Sequence, residues 1–362
     1  MKKVTFLYIS MLIFIISCVI ASPVMTSAAS FKPVNLKVAS AYPPPESSLA
    51  STHLLEWEKM VTEKTGGAVT FTNFWGGTMG KPAEHLSLVK SGAVDIALSY
   101  GWYTQTQLSL QDFDYTFPFG PTDPMIVTKA MRQIYEEFPQ IKKEMADQNI
   151  TRVFMSPGLK FYILSKTPIS GLNDFKGKKI AVVGRYFGRW VRDIGAVPVA
   201  APGPERFTML QTGVVDASMD PMDLHYAYKI IEQAPYVTDV NVLLTTWIGC
   251  WINLKKLEGL PADLQKIVLD AGKELELKAA KDINPVWDKK ILKEWQAKKD
   301  YKMIAMSEAD RMAWANACED VPAEWAAEVA KAGQPGWEIV KRYQEITTQL
   351  GFKWLRKWGV KK

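Results

Sequence analysis

Between residues 31 and 260, apolar positions follow two rhythms. Short apolar runs, some alternating with polar residues, predict strands at 35–40 (NLKVAS), 68–74 (AVTFTNF), 94–99 (VDIALS), 151–155 (TRVFM), 161–165 (FYILS) and 180–183 (IAVV). Longer stretches with apolar residues three and four apart predict helices over 49–65, 82–91 and 124–147. The punctuation agrees. Ser48 offers an N-cap, Gly66-Gly67 stops the first helix, and Gly92 stops the second. Tyr42-Pro43-Pro44-Pro45 can continue neither a strand nor a helix and reads as a rigid loop. Residues 113–123, with Pro118 and Pro121, are irregular, and 240–254 carries two strand-like runs. From residue 261 the pattern is helical almost to the end, broken at Asp300-Tyr301-Lys302 and Gly333-Gln334-Pro335. Strand–helix alternation with short loops indicates an α/β fold.

The most organised stretch is 167–184 (TPISGLNDFKGKKIAVVG) followed by 211–221 (QTGVVDASMDP). A polar turn leads into the buried strand 180–183. A helix then ends at Gly213, and a second short strand closes on Asp220-Pro221. This is a βαβ unit with parallel strands, and ligands of such sheets sit beyond the carboxyl ends of the strands. Arg185 and Asp220 therefore become the first candidate site residues. The segment 90–95 (KSGAVD) echoes 211–216 (QTGVVD): helix end, glycine cap, strand start. The echo suggests two similar α/β lobes.

Composition narrows the setting. Met1-Lys2-Lys3, the apolar run 4–21 and Ser27-Ala28-Ala29 read as a secretory signal peptide over 1–29, cut after Ala29. Ile15-Ile16-Ser17-Cys18 also resembles a lipobox, the alternative in which Cys18 is lipidated, and a membrane anchor is the plainer alternative. Export places the chain in the periplasm. The formal net charge of +6, of which Lys2 and Lys3 leave with the signal, is too mild and too dispersed for nucleic acid. Cys250 and Cys318 remain in the exported chain, either bridged or as two buried thiols. The histidines His53, His85 and His225 are scattered and give no metal spacing. No G-x-S-x-G, H-E-x-x-H or phosphate-binding glycine loop occurs. An exported hydrolase thus lacks visible machinery, and no cofactor is implied.

Five ordered pieces carry a resemblance: 65–80 (TGGAVTFTNFWGGTMG), 87–99 (SLVKSGAVDIALS), 165–180 (SKTPISGLNDFKGKKI), 210–221 (LQTGVVDASMDP) and 257–274 (LEGLPADLQKIVLDAGKE). Together they resemble the solute-binding proteins of tripartite ATP-independent periplasmic (TRAP) transporters, the dicarboxylate-type family. The resemblance implies a two-lobed periplasmic binding protein fold, with mixed sheets flanked by helices, an interlobe ligand cleft and long C-terminal helices. Lobe I is expected over 30–157 with 248–290, and lobe II over 158–247 with 291–362. It further implies capture of a small organic acid by lobe closure and delivery to a small and a large integral membrane subunit, without enzymatic turnover. The alternative partner is a sensor system.

The family's usual ligand arginine would fall at Ala181, so this chain departs from the pattern. Arg185 is the displaced substitute; Arg189 and Arg192 follow on a helix face that solvent alone would explain. Lys160, after Gly158, matches a second cationic position, and Asp220 stands where the family often has Asn. A carboxylate there suits a hydroxyl, an ammonium group or a bound cation better than a second anion. Aromatic candidates for the cleft wall are Tyr42, Trp75, Tyr100, Trp102 and Trp247. A monocarboxylate bearing an aromatic, hydroxyl or amino group fits this set better than a simple dicarboxylate.

Overall fold

The computed structural model describes residues 31–111, 113–246 and 248–360. The expected signal peptide, Cys18 and Trp247 lie outside the described residues. Two sheets form the framework. The first contains β1 (Val34–Ser40), β2 (Val69–Phe74), β3 (Ile96–Tyr100), β4 (Ile150–Ser156) and β10 (Ile248–Asn253), in the order β2-β1-β3-β10-β4. The second contains β5 (Phe161–Ser165), β6 (Lys179–Val182), β7 (Val197–Ala200), β8 (Ala217–Pro221), β9 (Tyr236–Asp239) and β11 (Lys302–Ala305), in the order β11-β9-β5-β8-β6-β7. β1 runs parallel to β2 and β3 while β10 is antiparallel to β3 and β4, and β6 runs parallel to β7 and β8 while β5 is antiparallel to β8 and β9, so both sheets are mixed.

Helices α1 (Leu49–Lys64), α2 (His85–Ser91), α3 (Pro124–Glu137), α4 (Pro139–Asp147), α8 (Leu254–Glu258) and α9 (Ala262–Lys278) flank the first sheet. Helices α5 (Phe187–Arg192), α6 (Arg206–Gln211), α7 (Met222–Ala227) and α10 (Asn284–Gln296) flank the second. The starts and stops have local causes. The Ser48 side chain accepts from Ser51 N at the head of α1, and Asp123 caps α3 ahead of Pro124. Gly92, at φ +78°, closes α2 in the left-handed conformation that a Cβ disfavours.

The chain passes between the lobes from β4 to β5 and again from β9 to β10. A third passage is helical: α9 continues through a π-helical turn, Ala279–Ile283, into α10. This turn sits where the helix leaves lobe I. Asn284 ties it to the first crossing by donating to the carbonyls of Pro157 and Gly158 at 3.0 and 2.9 Å. Buried His53 of α1 bridges the Asn284 side-chain oxygen (2.9 Å) and the Ser156 hydroxyl (2.8 Å). Burial pushes its imidazole down to about 4, so it stays neutral.

Three expectations need correction. The βαβ unit at 180–221 is two such units, because β7 intervenes at the edge of the sheet. Residues 240–246 form no strand; as crossing backbone they accept from Phe161 N and Gly158 N through Leu243 O and Thr245 O. Lobe II does not keep all of 291–362. Helix α11 (Glu308–Ala317) stays on it through Trp314, whose indole donates to Trp190 O. Helices α12 (Val321–Lys331) and α13 (Gly336–Gln349) return to lobe I, where Trp325 donates to Ser109 O and Arg342 pairs with Glu137 of α3. Cys250 and Cys318 are both buried and free. Among the described residues no helix is long and apolar enough to cross a membrane.

Candidate ligand-binding site

The carboxyl ends of β1, β3, β6 and β8 face one another across the seam between the lobes. Lobe I contributes aromatic rings. Tyr42, in the rigid proline loop after β1, is fully buried, and its ring lies 4.2 Å from that of Tyr100 at the end of β3. Trp102 stacks on Tyr100 at 5.0 Å, and Tyr103 meets Tyr100 edge-on at 5.7 Å. Half-buried Trp75 follows the strand β2 next to this loop, where Gly76 N donates to Tyr42 O at 2.8 Å. The aromatic cluster after β3 thus forms one continuous wall.

Lobe II contributes charge. Pro202-Gly203-Pro204 turns the chain into α6, whose first residue is Arg206. Arg206 and Leu210 stand four apart on the face turned toward the sheet, and both are completely buried. The guanidinium runs over the end of β8. Nε donates to Ala201 O at 3.0 Å, and Nη1 donates to the Ser218 hydroxyl and Met219 O, each at 3.0 Å, and to Asp220 Oδ2. The second guanidinium nitrogen, Nη2, and the second carboxylate oxygen, Oδ1, are both buried without a hydrogen-bond partner among the described residues.

The walls meet at Tyr100 and Tyr228, whose hydroxyls are 2.7 Å apart. Gly203 makes room for the Tyr228 ring, because a Cβ there would lie 2.5 Å from it. A second contact crosses the seam where Arg185 N donates to Gln105 Oε1 at 3.1 Å, with Gly184 (φ +78°) close against Trp102. Electrostatics tie the group together. Burial raises the Tyr103 phenol, with Arg206 lowering it and Asp220 raising it. Burial likewise pushes Tyr228 up to about 12 and Tyr42 and Tyr100 well above the usual phenol range, so all four remain neutral hydroxyls. Burial lifts Asp220 to about 6 against the opposing pull of Arg206, and lifts neighbouring Asp223 to about 7.

The expected site residues divide into two groups. Tyr42, Tyr100, Trp102 and Asp220 gather at the seam, and Trp75 is tied to them only through the backbone of Gly76. Arg185 and Lys160 point elsewhere. The Arg185 guanidinium is exposed and takes Glu328 of α12 as its partner, with Nη1 at 3.0 Å. The Lys160 ammonium donates to Asp239 at 2.7 Å and lies 4.9 Å from the Tyr162 ring. It borders a separate hollow of about 310 Å³ beside Asn284 and Asp288 at the crossing strands. Arg206 was not anticipated. Its clue was present: an arginine four residues before Leu210 occupies the apolar face of its helix.

Residues 40–328 match the model of the bacterial extracellular solute-binding proteins, family 7. Among solved structures, the chain is similar to a TRAP periplasmic solute-binding protein of Desulfovibrio salexigens. The two share 23% identity and a TM-score of 0.76, over 88% of this chain and 97% of that one. It is also similar to a TRAP periplasmic solute-binding protein of Bordetella bronchiseptica with bound (R)- and (S)-mandelate, at 20% identity and a TM-score of 0.75, over 88% and 100%. A C4-dicarboxylate-binding periplasmic protein of Rhodobacter capsulatus is 26% identical over 215 residues, 58% of this chain and 62% of that protein.

Proposed function

The chain belongs to family 7 of the bacterial extracellular solute-binding proteins and is an extracytoplasmic solute receptor of the TRAP kind, and we propose that its solute is a small organic acid held at the seam by Arg206. The observation that carries this reading is a fully buried guanidinium with a spare donor nitrogen, within electrostatic reach of Tyr103 in the aromatic wall on the other lobe. A carboxylate is the group such a nitrogen binds most strongly. Low local dielectric strengthens the contact, and closing the lobes excludes water. In this reading Arg206 stands in for the arginine missing at Ala181, and Lys160 and Arg185 act in the protein's own ion pairs. Tyr42, Tyr100, Trp102 and Trp75 form the apolar side of the cleft, so the acid carries a ring or a compact apolar body. Mandelate in the Bordetella relative is an acid of this size and kind. The loaded, closed form then docks on a small and a large integral membrane subunit, after export directed by residues 1–29.

The test is a thermal-shift screen of the purified protein with organic acids, followed by native mass spectrometry of each hit. A ligand that binds only the folded state adds roughly 2.7 kcal/mol at a hundred times its Kd. The expected result is a clear rise in Tm for a few monocarboxylates, with one ligand per chain. A screen in which no acid raises the Tm overturns the reading.

A further inference from the structure

Resting on that reading, we propose that the Arg206–Asp220 pair sets the solute class: a monocarboxylic acid that also carries a hydrogen-bond donor beside the carboxylate, such as a 2-hydroxy acid or a cyclic amide acid. Both side chains are out of contact with solvent. Each spends one atom on the other, and Arg206 spends Nη1 and Nε on carbonyls and on Ser218 as well. What remains is one N–H donor face at Nη2 and one acceptor at Oδ1, both on the same ion pair. A ligand that satisfies both must offer an acceptor to the guanidinium and a donor to the carboxylate.

The pair is close to neutral as a unit, so it does not attract a dianion the way a lone arginine would. A second carboxylate beside Nη2 would share the buried pair with the Asp220 carboxylate. Like charges at that depth repel strongly, so succinate-like acids are selected against. A plain acid without a donor satisfies Arg206 but leaves Oδ1 buried and unpaired, which weakens binding. The tyrosine hydroxyls of the wall are neutral and can serve either role toward the rest of the ligand. Discrimination between acids therefore falls on the one oxygen that only accepts.

Matched pairs of acids test this with the intact protein by isothermal titration calorimetry: mandelate against phenylacetate, lactate against propionate, and pyroglutamate against cyclopentanecarboxylate, with succinate as the dianion. In every pair that binds, the donor-bearing acid is expected to bind roughly tenfold more tightly or better. Succinate is expected to be the weakest. In Asp220→Asn, Arg206 holds the amide oxygen and turns the NH2 toward the ligand, so the preference should shrink to within about threefold. Equal affinities within the pairs, tightest binding of succinate, or an unchanged preference in Asp220→Asn each overturn the proposal while leaving an acid receptor in place. If Asp220→Asn does not fold, the wild-type pairs decide alone. If none of these acids binds but others do in the thermal-shift screen, their own donor-lacking analogues take their place. If no acid binds at all, the underlying reading falls as well.

Discussion

Arg185 and Arg189 reach across the seam to α12 with side chains 46% and 25% exposed and partners more than half exposed, whereas Arg206 and Asp220 pair at 0% and 2%. The chemistry is the same and the surroundings differ. At the outer edge, water screens the pairs Arg185–Glu328 and Arg189–Glu324, and each is worth a fraction of a kcal/mol to about 1 kcal/mol. Inside, both partners have been stripped of water, and the attraction between them does little more than offset that loss. A buried pair with two unsatisfied atoms is therefore a poor stabilising device. Its position makes sense if the missing hydrogen bonds are supplied by a ligand, and that is why the cleft, and not the richer outer network, was assigned the solute.

The largest expected effect follows from breaking the inner pair. Arg206→Gln leaves Asp220 buried beside a neutral amide and should lower the unfolding free energy by about 3–5 kcal/mol. Urea denaturation with an unchanged slope measures it. A loss below about 1 kcal/mol would mean that water reaches this pair as freely as it reaches the outer ones. The double variant Arg206→Met/Asp220→Leu sharpens the contrast. It removes both charges, so much of the stability should return while acid binding stays lost.

The same burial writes a pH signature. Burial raises Glu58, Asp114 and Asp223 to about 7 and Asp220 to about 6. Each holds its proton in the folded state at a pH where the unfolded chain has released it. Folding therefore binds protons, and stability falls as pH rises toward and through these folded values. Buried His53 and His225, lowered to about 4 and 3, act in the opposite sense, mainly as pH falls below the ordinary histidine value of about 6.5 and with a fading share just above it. From pH 6.5 to 8 the carboxyl groups outweigh them. The unfolding free energy should drop by on the order of 1–2 kcal/mol over that range, seen as a Tm lower by a few degrees. A Tm that rises with pH across this window would contradict the buried, proton-holding state of these groups. Saturating acid ligand should flatten the Asp220 share of the slope by fixing its partner.

The contrast also explains what could be read from the chain before the fold was known. Elements whose signals are local came through: Ser48 as a cap, Gly66-Gly67 and Gly92 as stops, and the alternating runs that became β1, β2, β3 and β5. β7 was hidden because its sequence, VPVA, carries Pro198, which an edge strand tolerates and a central one does not. The return of α12 and α13 to lobe I was not legible, since an amphipathic stripe shows that a face is buried and not what buries it. For the site, the aromatic cluster after β3 was visible as an excess of rings at a strand end. Arg185 stood out by its nearness to a strand end and Lys160 by the family's cation after a glycine, but their partners Glu328 and Asp239 lie 143 and 79 residues away. Arg206 does not stand out in the chain, because a lone arginine at a helix start usually faces water. Only the burial of Leu210 one turn later marks its face as the inner one.

The smallest expected effect belongs to the outer edge. Glu328 sits on α12, which packs on lobe I, while Arg185 follows β6 of lobe II, so this exposed pair joins the two halves. Arg185→Gln and Glu328→Gln should each change stability by less than about 1 kcal/mol, with a coupling between them of roughly 0.2–1 kcal/mol in a double-mutant cycle. Raising ionic strength from 0.1 to 1 M shortens the screening length from about 10 to 3 Å and should erase most of that coupling. It should leave the cost of Arg206→Gln nearly unchanged, because buried charges are screened far less. The pair also stands apart from the Nη2 and Oδ1 positions, so the acid preference of Arg185→Gln should match that of the unaltered protein. A large shift in that preference would return Arg185 to the binding site and undo the division between an outer set of arginines that meets water and an inner one that meets solute.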